Sequence, residues 1–131
     1  MTERGVIENQ LRRQQINDFS GLLYGRITPT DIDGVIEYKG KMYIFFEVKY
    51  QNKDLPQGQR MAIERLVNDT YKAGKKSVAL IITHDVGDTR QSVPVADCYV
   101  KELYYCKEKI WRPPKQLITA RKFMDTFLQA K

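Results

Sequence analysis

Apolar residues fall along the chain in short runs whose spacing assigns most elements. In Ser77-Val78-Ala79-Leu80-Ile81-Ile82-Thr83 the run is unbroken, as in a strand covered on both faces inside a sheet. Two further runs flank Lys39-Gly40, one from about Asp31 to Tyr38 and one from Lys41 to Tyr50, and together predict a hairpin. From Gln59 to Ala73 the apolar positions Met61, Ala62, Ile63, Leu66, Val67 and Tyr71 recur at helical spacing, and Gly74 is placed to stop the helix. Asn52 to Gly58, with Pro56, reads as the loop before it. Thr2 to about Asp18 reads as a polar helix, with Ile7 and Leu11 spaced i, i+4, and Gly21 to Arg26 as a short strand between breakers. A later strand spans about Cys98 to Cys106. Beyond Pro113-Pro114, Thr119 is a candidate N-cap for a final helix with the stripe Phe123, Met124, Phe127 and Leu128. The predicted order is αβββαβ followed by a strand and a helix: an α/β chain with a mixed central sheet flanked by helices.

Length and composition narrow the class. A chain of 131 residues fits one domain, and 42% hydrophobic with 29% charged residues describes a water-exposed globular protein with a core. No apolar run reaches the roughly 20 residues of a membrane span, and Met1-Thr2-Glu3-Arg4-Gly5 has no secretory pattern. Cys98 and Cys106 lack CxxC or CxxH neighbours, which fits reduced thiols in the cytoplasm and excludes a structural zinc site. The net charge of +6 is uneven: residues 101–131 carry eight basic and three acidic side chains, and therefore +5 of the total. A basic segment of this kind fits a polyanionic partner, DNA first.

Chemistry enters where patterning conflicts with itself. In Met42-Tyr43-Ile44-Phe45-Phe46-Glu47-Val48-Lys49, alternation puts Glu47 and Lys49 on the face that begins with Tyr43 and Phe45. The preceding strand opens with Asp31-Ile32-Asp33, again two carboxylates on one face, and the hairpin brings them beside Glu47. Carboxylates this close are tolerated when a cation joins them, and a hard divalent ion such as Mg²⁺, with Mn²⁺ as substitute, takes one or two carboxylates plus water and phosphate oxygens. An ammonium two residues from Glu47 can then act on attacking water and offset charge growing on a phosphate. The bland alternative is a strand end emerging into water.

Asp31 and Asp33, the 14-residue step from Asp33 to Glu47, and Glu47-Val48-Lys49 within an αβββαβ order resemble the PD-(D/E)xK nuclease superfamily over residues 3–84. Arg4-Gly5-Val6-Ile7-Glu8, Thr30-Asp31-Ile32-Asp33-Gly34-Val35 with Phe46-Glu47-Val48-Lys49, and Gln59 are similar to stretches of its Holliday-junction resolvases. The resemblance implies a restriction-endonuclease-like core, DNA as substrate and Mg²⁺-dependent phosphodiester hydrolysis. It implies Asp33 or Asp31, together with Glu47, as metal ligands, the Val48 carbonyl assisting and Glu8 as an auxiliary ligand. It gives Lys49 the role of catalytic cation and Gln59 that of orienting water or phosphate. No Pro directly precedes the Asp, and no segment corresponds to a junction-gripping projection, so the implied chemistry is firmer than the implied junction substrate. A homodimer would supply the two cuts that a symmetric substrate requires.

No GxxxxGK[ST], GxGxxG or GxSxG occurs, which removes phosphate-loop, dinucleotide and serine-hydrolase readings. His84, the only histidine, sits at a strand end and reads as structural. Lys107, Lys109, Trp111, Arg112 and Lys115 interleave cations with an aromatic ring and are candidate DNA contacts. The alternative is a hairpin whose Trp111 packs on the sheet. A catalytically inactive nuclease fold that binds nucleic acid or a protein is the competing function.

Overall fold

The computed structural model describes residues 5–7 and 10–129. The chain divides into two compact units, residues 1–30 and residues 31–131. In the first, the described residues of the polar helix include α1 (Gln10–Gln14), which ends short of Asp18. The strand expected over Gly21–Arg26 does not form: Gly25 takes a positive φ of 67°, and Tyr24 and Ile27 instead exchange two backbone hydrogen bonds across a tight turn. With a glycine at each end, this apolar run is too short to lie along a sheet. Among the described residues the order is therefore αββαβ followed by two strands and a helix, one early strand fewer than αβββαβ.

The second unit is an α/β sandwich. Its five-stranded mixed sheet has the order β1-β2-β3-β4-β5, formed by β1 (Gly34–Tyr38), β2 (Met42–Tyr50), β3 (Lys76–His84), β4 (Tyr99–Tyr104) and β5 (Trp111–Arg112). β1 and β2 make the antiparallel hairpin, and Lys39 and Gly40 both adopt positive φ, as a two-residue turn matched to strand twist requires. β3 runs parallel to β2, which demands a crossover; α2 (Gln57–Lys72) supplies it. Gly74 ends α2 at φ 89°, with Lys75 N–H on the Thr70 carbonyl and Gly74 N–H on that of Tyr71, the paired bonds of a Schellman stop. The unbroken run of β3 is the buried centre of the sheet, as its pattern predicts.

α2 covers one face through Ile63 and Val67, which pack with Phe45, Ala79, Ile81 and Tyr104. α3 (Ala120–Gln129) covers the other through Ala120 and Phe127, against Ile44, Val78, Leu80 and Ile82. Thr119 caps α3 as predicted, its Oγ1 accepting from Lys122 N–H at 3.2 Å. A register shift between Ile81 and Ile82 puts a bulge in β4. Val100 and Leu103, three residues apart, thereby both join the α3-side core, while Glu102 stands opposite Ile81. No helix among the described residues is long and apolar enough to cross a membrane.

Gly34 is where the fold positions the chemistry. A Cβ built there would lie 2.1 Å from the Phe46 ring of the facing strand, so only glycine lets the residues preceding β1 lie this close to β2. Gly34→Ala is expected to lower stability by about 1–3 kcal/mol, as overpacking does. Gly58→Ala, in α2 with open space around it, is expected to be neutral or to stabilise by up to about 1 kcal/mol. Urea titration of the two variants reads the contrast.

A carboxylate pair as candidate active site

β2 carries Glu47 on its α2-facing side, where the side chain is buried to 2% exposure. Asp33, in the segment leading into β1, reaches across to the same place. Its backbone N–H donates to Glu47 Oε2 at 2.7 Å, and its own Oδ2 accepts from Val48 N–H at 2.7 Å. Each carboxylate is thus held by the backbone of the other's strand region, a reciprocal clasp that fixes both against the sheet. The pair predicted from alternation is brought together, although through the lead-in to β1 rather than through β1 itself, which begins at Gly34. Asp31 is exposed and makes no hydrogen bond or ion pair among the described residues. The geometry therefore separates the two aspartates and places Asp33 at Glu47.

The electrostatics follow from burial. Glu47 is pushed up to about 7, chiefly because burial disfavours its charged form. The Asp33 N–H works against that shift, the Asp33 charge adds to it, and the Lys49 charge lowers it. Lys49 is half-buried on the same strand face, close enough for its ammonium to act on Glu47.

Gln59 lies in the first turn of α2, which begins at Gln57, two residues earlier than its periodicity predicts. Its Oε1 is buried without a hydrogen-bond partner among the described residues. A buried acceptor of this kind calls for a partner beyond the described residues, such as water or a cation. Among the described residues no three His, Cys, Asp or Glu side chains converge. The available donors are two carboxylates, with the Gln59 amide oxygen and the Val48 carbonyl as neutral oxygens in the same part of the chain. That oxygen-only set fits a hard divalent cation that keeps part of its water shell. Glu8, the implied auxiliary ligand, lies outside the described residues.

Arg60 holds the start of α2 in place, a role with no signature in the sequence. It bonds Glu102 at 3.2 Å, Asp54 at 3.2 Å and the Leu55 carbonyl at 3.3 Å, and lies 5.1 Å over the Trp111 ring. The Arg60–Glu102 partners are 42 residues apart, and the β4 bulge turns Glu102 to this face, so no local spacing could have announced the pair. His84 accepts from Val86 N–H at 3.0 Å and packs on Tyr50, consistent with its structural reading.

The candidate DNA contacts separate. Lys107 and Lys109 are exposed in the β4–β5 turn, and Lys107 lies 6.0 Å over Tyr71. Trp111 turns inward, with Nε1 donating to Glu64 Oε2 at 2.7 Å and its ring 5.4 Å from Tyr104, which is the packed-hairpin alternative. Arg112 pairs with Glu108 at 2.6 Å, and Lys115 is exposed. No protein-family model, curated protein or solved structure matches the chain.

The raised value of Glu47 has a direct consequence for metal-free protein. Between about 4.5 and about 7 the folded state holds a proton on Glu47 that the unfolded chain releases, so its contribution to stability is present below 4.5 and is lost as pH rises through 7. Urea midpoints measured across that window should therefore fall more steeply in the wild type than in Glu47→Gln. Parallel curves would place the Glu47 carboxyl in an ordinary solvated environment.

Proposed function

We propose that the chain is a metal-dependent DNA endonuclease of the PD-(D/E)xK type, with a restriction-endonuclease-like core, that hydrolyses phosphodiester bonds. The observation that carries the reading is the reciprocal clasp of Asp33 and Glu47, because it brings an exposed carboxylate against a buried one, whose proton affinity, raised by burial, a cation would relieve. The β1–β2 hairpin carries Glu47 and Lys49 on one strand face, and the α2 crossover to β3 follows it with Gln59 in its first turn.

A divalent cation, Mg²⁺ or Mn²⁺, would supply Lewis acidity at a phosphoryl oxygen and compensate the clustered negative charge. Asp33 and Glu47 would hold it, with the Val48 carbonyl as a further donor. Lys49 orients the attacking water and stabilises charge on the phosphate. The buried Gln59 Oε1 accepts from that water or helps hold the cation. The surplus of basic residues beyond residue 100 binds the DNA backbone, with Lys107, Lys109, Arg112 and Lys115 as its contacts. Trp111 supports the hairpin that carries Lys107 and Lys109. A homodimer would provide paired cuts on a symmetric or branched substrate.

The test is a cleavage panel of linear, single-stranded, flapped and four-way DNA with Mg²⁺, Mn²⁺ or EDTA. Lys49→Ala should bind DNA like the wild type and cut at least about a hundredfold more slowly, the size associated with losing one positioned catalytic group. Asp33→Asn should abolish cutting, Asp31→Asn should leave part of it, and Glu47→Ala should remove Mn²⁺ binding in calorimetry. DNA binding without cleavage under every metal condition would instead identify a binding module on an inactive nuclease fold.

A further inference from the structure

The sheet face opposite Glu47 carries a cavity of about 490 Å³ between α3, β4 and the segment after β5. This lies within the size range of small-molecule and nucleotide sites. Tyr105, Phe123 and Phe127 form its aromatic wall, and Arg112, Lys115 and Lys122 stand around it. The lining contains no carboxylate among the described residues; Glu108, outside it, pairs with Arg112. Lys115 and Lys122 are exposed, and the charge of Lys115 acts on Glu108. The three rings form a row: Tyr105 and Phe127 are stacked at 6.4 Å and 26°, Phe123 and Phe127 at 6.2 Å and 18°. Lys76 closes one side, its Nζ donating to the Phe127 carbonyl at 2.7 Å and lying 4.3 Å over that ring.

We infer that this cavity receives an unpaired nucleotide from a single-stranded segment of DNA, its base continuing the row of rings and its neighbouring phosphates meeting Arg112, Lys115 and Lys122. The inference rests on the nucleic-acid reading above and names the substrate feature that it recognises. Aligned rings favour a planar guest, since offset stacking adds to area burial in a way that an aliphatic side chain cannot match. Base stacking on aromatic walls beside cations is also sequence-tolerant. Trp111 is not that platform, because Glu64 and Arg60 already engage it.

The placement sets a length. Ile81 pairs with Glu47 in the sheet, and Lys76 lies five residues earlier in β3, about 17 Å along the strand and near the cavity. At about 3.4 Å per nucleotide, about five nucleotides of a stacked tail span that distance, and the path around the sheet to its other face is longer. Single-stranded tails of about ten nucleotides should therefore be recognised, and tails of three should not.

The experiment measures binding of the full chain in EDTA, so that no cleavage intervenes, to a blunt duplex and to the same duplex with a three- or ten-nucleotide tail carrying 2-aminopurine. The ten-nucleotide tail should bind about tenfold tighter than the blunt end, with its fluorophore quenched. Lys115→Ala/Lys122→Ala should lose that advantage and flatten the log–log salt slope by about two. Phe123→Leu, which keeps the apolar volume, should retain the salt slope and lose the quenching. Equal affinity for blunt and tailed duplexes, or unchanged quenching in both variants, would overturn the inference while leaving the nuclease reading intact. Displacement of the tail by free dAMP at comparable concentration would also overturn it, by making a free nucleotide the occupant. Failure to bind any DNA would overturn the nucleic-acid reading itself.

Discussion

Holding a carboxylate inside the sheet beneath α2 is costly, since its charged form loses water that nothing apolar replaces. The features around Glu47 offset that cost in different ways. The Asp33 N–H gives it one donor, the Lys49 charge lowers its proton affinity, and Asp33 is itself tied to Val48 N–H, so that its approach is fixed. Gly34 then follows from contact distance alone: the chain that delivers Asp33 passes against the Phe46 ring, and a single methyl group would displace it. The clasp thus joins a buried carboxylate to an exposed one through two backbone donors.

The rest of the fold supports that point at one remove. α2 must cross over because β2 and β3 are parallel, and the crossover delivers Gln59 to the Glu47 face. Arg60 ties the first turn of the same helix to Glu102 and Asp54, and its guanidinium covers Trp111. The β4 bulge makes this possible by turning Glu102 toward α2 while Val100 and Leu103 remain in the opposite core. One irregularity thus serves packing on one face and the anchoring of a helix on the other.

The two faces of the sheet carry different chemistry. Carboxylates and the Arg60 network lie on the α2 side, whereas the cationic, ring-walled cavity lies on the α3 side. The C-terminal basic segment, continuous in sequence, divides between them because successive strand residues point oppositely: Trp111 turns to α2 and Arg112 to the cavity. The charge excess of residues 101–131 is for that reason not a single stripe.

Periodicity made much of the second unit legible. The hairpin at Lys39-Gly40, the α2 helix with its stop at Gly74, the doubly covered β3 and the Thr119 cap all depend on neighbours within a few residues, and the sequence carries those directly. The pairing of Asp33 with Glu47 was also readable, because a hairpin converts a 14-residue separation into contact. The short apolar run between Gly21 and Arg26 misled, since hydrophobicity without length or a pairing partner does not make a strand. Tertiary structure alone decided which aspartate meets Glu47, that Gln59 Oε1 is buried without a partner among the described residues, that Arg60 finds Glu102, and that Trp111 points inward. The reason is physical: alternation assigns a side chain to one face of its own element, while the identity of what covers that face depends on how distant elements pack.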